Sequence, residues 1–226
     1  MYKCWYEKTC DRAKENCYLS CVRYKLMHSL FNLSNLPEYL WIPKNLTCSN
    51  IDSEAFHQLK NIYDSIENYV SNGKNLYIFS NNCGNGKTSW TIKLMFSYFD
   101  KIWHKSCFER KALFINVPSF LYDYKRSISQ KVNGLEELCN DIEKVDLVIW
   151  DDIGESNATS FEHQILLQYI DRRISAGKSN FYTSNKDKEQ LEECLGPRLV
   201  SRIYNCSTVI ELKEEDKRGV NVWLNI

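Results

Sequence analysis

Between residues 52 and 70 the apolar and aromatic positions Phe56, Leu59, Ile62, Tyr63, Ile66 and Val70 recur at steps of three and four. That period predicts an amphipathic helix ending near Gly73, capped by Asp52 or Ser53. Downstream the pattern changes to short apolar runs, most of them followed by a helical stretch. The run 76–79 precedes a helix from 87 to about 99, and the run 112–115 precedes a segment spanning 119–143. The run 147–150 precedes a helix from 161 to about 175, and the run 180–183 follows it. Residues 196–204 read as a short helix with Pro197 in its first turn, and 208–212 as one more strand. Apolar strands alternating with helices predict a parallel α/β sheet covered by helices on both faces. No internal repeat interrupts this order.

A chain of 226 residues fits one α/β domain with a small appendage. We place the boundary near residue 50, because Pro37 and Pro43 mark irregular connections in 26–46. This gives an N-terminal module and linker at 1–50 and the main domain at 51–226. Lys plus Arg number 29 and Asp plus Glu 29, so any nucleic-acid contact must come from a local patch. With 43% hydrophobic and 26% charged residues, a disordered or low-complexity chain is excluded. No apolar run approaches the roughly 20 residues of a membrane span, and the N-terminus lacks the apolar region of a secretory signal. A cytoplasmic protein without membrane contact is therefore expected.

The strongest chemical signal follows the first strand. Ser80-Asn81-Asn82-Cys83-Gly84-Asn85-Gly86-Lys87-Thr88-Ser89 opens a helix, which is the context of a phosphate-binding loop. Backbone N–H groups of such a loop converge on phosphate, aided by the positive end of the helix. Lys87 adds a charge for the β and γ oxygens, and the Thr88 hydroxyl suits Mg²⁺. Residues 82–89 are thus the expected ATP/ADP contacts. Asn81 stands where the motif carries its first Gly, and asparagine is among the residues that tolerate positive φ.

The run 147–150 ends in Asp151-Asp152-Ile153-Gly154. Asp151 is expected to hold Mg²⁺ and Asp152 to orient the attacking water. Asn185, after the strand 180–183, suits the γ-phosphate or that water, although asparagine is also a common turn residue. Arg198 and Arg202 lie four apart on one helix face. A guanidinium reaching a neighbouring subunit's γ-phosphate would stabilise developing charge there.

The ordered set Gly84-Asn85-Gly86-Lys87-Thr88, Asp151-Asp152-Ile153-Gly154, Thr183-Ser184-Asn185 and Arg198-Leu199-Val200-Ser201-Arg202 resembles the AAA+ ATPases of the replicative helicase loader group, the DnaC/DnaI type. The likeness runs from about 52 to 218. It implies an AAA+ P-loop fold without a separate C-terminal lid. It also implies Lys87 and Thr88 as nucleotide and Mg²⁺ contacts, Asp151 as the Mg²⁺ carboxylate and Asp152 as the catalytic carboxylate. Asn185 becomes sensor I and Arg202 the arginine finger, with Arg198 the second candidate. Many relatives carry Glu where this chain has Asp152, one methylene shorter, so slow hydrolysis is expected and ATP acts mainly as an assembly switch. The implied partners are a hexameric replicative helicase, single-stranded DNA and further copies of the chain. An IstB-type transposition helper and a nucleotide-gated DNA-binding adaptor are the alternatives.

Four of the ten cysteines, Cys4, Cys10, Cys17 and Cys21, crowd the first 21 residues. In a reducing compartment that clustering favours a metal over disulfides, and four thiolates suit one tetrahedral Zn²⁺ or an iron–sulfur cluster. Lys3, Lys8, Arg12, Lys14, Arg23 and Lys25 interleave with Trp5, Tyr6, Tyr18 and Tyr24. That mixture suits either base stacking or a protein-docking surface, and the family resemblance favours docking to the helicase. Tyr122, Tyr124, Lys125, Arg126 and Lys131 suit a single-stranded DNA contact, although their charge pattern fits a solvated helix face better.

Overall fold

The computed structural model describes residues 4–7, 9–11, 17–42, 46, 50–155 and 159–214. Its strands are β1 (Asn75–Phe79), β2 (Ala112–Asn116), β3 (Leu147–Asp151), β4 (Ser179–Ser184) and β5 (Ser207–Glu211). They form one sheet in the order β2-β3-β4-β1-β5, with every pairing parallel. Successive side chains of a strand point to opposite faces, and here both faces are apolar. Leu76, Ile78, Phe114, Ile149, Phe181 and Ile210 belong to one buried cluster; Tyr77, Leu113, Ile115, Val148, Trp150 and Tyr182 belong to the other. Such strands need helices on both sides.

The first cluster is completed by α1 (Val22–Leu33), α2 (Ser53–Asp64), α3 (Ile66–Ser71) and α4 (Lys87–Ile102), through Met27, Phe31, Leu59, Ile66, Leu94 and Phe99. The second is completed by α5 (Val117–Arg126), α6 (Leu135–Lys144), α7 (Ser160–Ser175) and α8 (Lys188–Asn205), through Phe120, Ile142, Leu166, Leu191 and Ile203. Arg173 of α7 is fully buried, and its guanidinium donates to the carbonyls of Ile142, Val145 and Ser179 and to Asn180 Oδ1. It thereby ties α6 and α7 to the ends of β3 and β4 where those strands begin, opposite the loop end of the sheet. Among the described residues no helix is long and apolar enough to cross a membrane.

Several elements differ from expectation. The helix expected to run to Gly73 divides at Ser65, whose hydroxyl donates to the Asn61 carbonyl at 2.7 Å, a side-chain bond that competes with helical pairing. Asp52 stands at the start of α2 without capping it. Its carboxylate accepts instead from the N–H groups of Lys213 (2.8 Å) and Glu214 (3.2 Å) beyond β5. The segment 119–143 is two helices, α5 and α6. The short helix at 196–204 is the second half of α8, which starts at a capping box of Asp187 and Gln190 and breaks at Gly196 (φ 73°, ψ 154°).

The N-terminal segment holds a helix that the sequence reading lacks. On α1, Met27, Leu30 and Phe31 are buried in the same cluster as Leu94 and Phe99 of α4. Trp5 stacks on Phe31 at 5.2 Å, and its Nε1 donates to the Trp41 carbonyl at 3.1 Å. The Arg23 guanidinium lies 3.5 Å over the Tyr6 ring and meets Asp100 at 2.5 Å, and the Tyr6 hydroxyl donates to the same carboxylate. Cys4, Cys10, Cys17 and Cys21 are all described, yet among the described residues no group of three or more His, Cys, Asp or Glu is arranged to hold a metal ion. Among the described residues the expected Zn²⁺ or iron–sulfur site is therefore not supported. Trp5, Tyr6 and Arg23 beside the thiols pack onto the shared core, so packing organises this segment. Lys3, Lys8, Arg12 and Lys14 lie outside the described residues.

Candidate nucleotide site

The loop joining β1 to α4 lies at the C-terminal edge of the sheet, where ligands collect in open parallel sheets. Gly84 (φ 73°) and Gly86 (φ 99°) supply its left-handed turns, and Gly86 immediately precedes the first turn of α4. Asn81 takes no positive φ, so the two glycines carry the turn without it. Asn82 and Cys83 are exposed at the tip, Ser89 is half-buried, and Asn85 is buried.

Lys87 is 6% exposed, and its ammonium donates to the Asn82 carbonyl at 2.9 Å and to Asn85 Oδ1 at 3.2 Å. The same two asparagines brace the loop from outside. Asn82 Nδ2 donates to the Lys213 and Glu214 carbonyls, each at 3.3 Å, and Asn85 Nδ2 donates to Ser80 Oγ and, at 3.3 Å, to the Leu212 carbonyl. The chain leaving β5 is thus a strap between Asp52 and the loop.

Across from Lys87 stands the end of β3. Thr88 Oγ1 donates to Asp151 Oδ1 at 2.8 Å, and Thr183 Oγ1 of β4 donates to the same oxygen at 2.7 Å. Burial, and then the adjacent Asp152 carboxylate, push the Asp151 carboxyl up to about 6, against the lowering effect of Thr183, Thr88 and Lys87. A buried carboxylate facing a hydroxyl is a hard oxygen pair, the donor chemistry Mg²⁺ takes. Asp152 leaves the strand in a left-handed conformation (φ 59°), its N–H donating to Thr183 Oγ1 at 3.0 Å. Asn116 Nδ2 approaches Asp152 Oδ2 at 3.4 Å, while Asn116 Oδ1 caps α5 by accepting from the Ser119 N–H.

The loop and the acidic pair expected from sequence therefore meet. Asn185 is half-buried just past β4 and donates to Glu155 Oε2 at 2.9 Å. Arg198 and Arg202 are both exposed on the second half of α8, where Arg202 Nε meets Asp171 of α7 at 3.0 Å. On α5, Tyr122 is exposed with Arg126 near its ring, whereas Tyr124 packs on Phe120 and Phe161 and belongs to the core. Lys125 and Lys131 are exposed. Sequence reading missed Asn116 and, although Thr183 lay in the Thr183-Ser184-Asn185 motif, gave it no role of its own. Asn116 sits in register with Asp151, and polar residues closing adjacent parallel strands were the signal available for both.

No protein-family model matches the chain. Over 94 residues it is 29% identical to the replicative helicase loader DnaC of Escherichia coli (strain K12), a match covering 42% of this chain and 38% of that protein. Over 182 residues it is 24% identical to the replicative helicase loader DnaI of Bacillus subtilis (strain 168), covering 74% of this chain and 55% of that protein. The match thus spans between two fifths and just over half of these relatives' length. A crystal structure of the DnaC helicase loader superposes with a TM-score of 0.65 at 16% identity, covering 78% of this chain and 100% of that one. The chain therefore has the AAA+ fold and is similar in sequence to the replicative helicase loaders DnaC and DnaI.

Proposed function

We propose that the chain binds and slowly hydrolyses ATP and, while nucleotide is bound, delivers a hexameric replicative helicase to single-stranded DNA. The observation that carries the ATPase part is the contact of Thr88 with Asp151. It joins the first turn of the helix after the phosphate loop to a buried carboxylate, and a second carboxylate, Asp152, follows at once. The names of the relatives support the helicase part.

In this reading the loop amides of 82–87 and the Lys87 ammonium hold the phosphates. Thr88 and Asp151 would hold Mg²⁺, whose charge offsets that of the phosphate oxygens. Asp152 orients the attacking water and accepts its proton. Arg202, or Arg198 beside it, faces a neighbouring copy; both are exposed, and Arg202 would exchange its ion pair with Asp171 for that contact. Residues 1–50 take the helicase-docking role. Since Trp5 and Tyr6 anchor that segment to the core, the docking face falls to exposed side chains such as Leu19 (65%) and Val22 (64%). Tyr122, Lys125 and Arg126 on α5 supply the single-stranded DNA contact. No feature of the site favours the transposition helper or the adaptor without hydrolysis.

Equilibrium binding of a fluorescent ATP analogue, followed by steady-state hydrolysis, tests the ATPase part. Lys87→Ala should abolish binding, and Asp152→Asn should bind normally while losing roughly a hundred-fold or more in turnover, the scale of a lost general base. Undiminished hydrolysis by Lys87→Ala would refute the site.

A further inference from the structure

Thr183 lies one residue beyond the point where β3 and β4 stop pairing, at Trp150 with Tyr182. It is fully buried. Its hydroxyl donates to Asp151 Oδ1 at 2.7 Å and accepts from the Asp152 N–H at 3.0 Å, and its carbonyl accepts from the Ile153 N–H at 2.9 Å. Both hydroxyl bonds have good geometry, and together they use the one proton and one lone pair of the group. They also span the acidic pair, holding the side chain of Asp151 and the backbone of Asp152.

That backbone needs holding. Aspartate is among the few non-glycine residues that adopt φ 59°, and such a conformation holds where its surroundings fix it. Thr183 supplies acceptors to the N–H groups of Asp152 and Ile153, one on each side of the Asp152 Cα. The turn it fixes is the one that carries the Asp152 carboxylate toward Asn116 at the end of β2. On the other side, Thr183 and Thr88 share Asp151 Oδ1, so the Thr183 hydroxyl sets the rotamer in which that carboxylate meets the phosphate-loop helix.

We infer that Thr183 is the positioning residue of the acidic pair: one buried hydroxyl fixes the carboxylate of Asp151 against Thr88 and the left-handed turn that aims Asp152. It acts through those two residues, and the inference rests on the ATPase reading above. Valine matches threonine in shape and lacks the hydroxyl, so Thr183→Val removes the Thr183 acceptor of the Asp152 N–H and one of the two hydroxyl donors to Asp151 Oδ1. Serine keeps the hydroxyl and loses only a methyl group.

The test compares Thr183→Val and Thr183→Ser with the wild-type full chain. Its readouts are the hydrogen exchange of the Asp152 amide without nucleotide, the Mg²⁺ concentration for half-maximal retention of a fluorescent ATP analogue, and kcat and KM for ATP. Loss of a bond to a charged group predicts, for Thr183→Val, roughly ten-fold or greater losses in kcat and a several-fold higher Mg²⁺ requirement. The Asp152 amide should exchange about ten times faster once its acceptor is gone, while KM for ATP stays within about two-fold because the loop contacts are intact. Thr183→Ser should restore all of these. Exchange and kcat unchanged in Thr183→Val, or Thr183→Ser behaving like Thr183→Val, would overturn the inference. Wild-type chain that turns over no ATP would refute the ATPase reading and the catalytic consequence together, whereas wild-type turnover matched by Thr183→Val would refute the positioning role alone.

Discussion

Asp151 is the residue on which the site's chemistry and the stability of the fold meet. Its carboxyl is held near 6 mainly by burial and then by Asp152, above the roughly 3.9 of an unfolded chain. The folded form therefore binds the proton more tightly. The resulting stabilisation is fully present below about pH 4 and is lost as pH rises through 6. In Mg²⁺-free, nucleotide-free protein, wild type should lose on the order of 2 kcal/mol relative to Asp151→Asn between pH 4 and pH 7.5. Thermal unfolding of both proteins across that range measures the difference. Parallel pH profiles would show that the carboxyl is unperturbed.

At the scale of elements, the break in α8 decides where the arginines point. Gly196 has φ 73° and ψ 154°, a region that side chains other than glycine essentially do not occupy. Pro197 restarts the helix, so Arg198 and Arg202 follow a second axis. Gly196→Ala should cost about 2 kcal/mol through backbone strain alone, because its Cβ would meet nothing closer than His163 at 3.9 Å. Chemical denaturation checks this, and a loss below about 0.5 kcal/mol would mean that the break is not fixed. The strands, by contrast, were legible in sequence, since runs such as 147–150 are wholly apolar and are bounded by motifs. The α1 helix was not, because its buried Met27, Leu30 and Phe31 are interspersed with Lys25, His28 and Asn32 and flanked by a cysteine cluster that suggested metal. The phosphate loop and the acidic pair were legible because each is contiguous. Thr183 and Asn116 were not, since their roles arise only when β2, β3 and β4 end side by side.

Across the whole molecule, one core joins the N-terminal segment to α4, the helix that follows the phosphate loop. Trp5 reaches Phe31 and Trp41, Arg23 and Tyr6 reach Asp100 of α4, and α4 begins at Lys87. The segment proposed to dock a partner is thus packed on the helix whose first residue is proposed to hold phosphate. Coupling between two sites needs an element that both bias, and α4 is the element placed to serve. The strap at Leu212–Glu214 braces the same loop from the opposite end of the chain. The central claim is that nucleotide at this loop governs capture of a helicase. Size-exclusion chromatography with light scattering, on the chain mixed with a cognate hexameric replicative helicase with and without ATP, tests it most directly. The account predicts a stoichiometric complex that forms with ATP and is lost in Lys87→Ala. No complex under any nucleotide condition, together with ATP-dependent coating of duplex DNA, would contradict it.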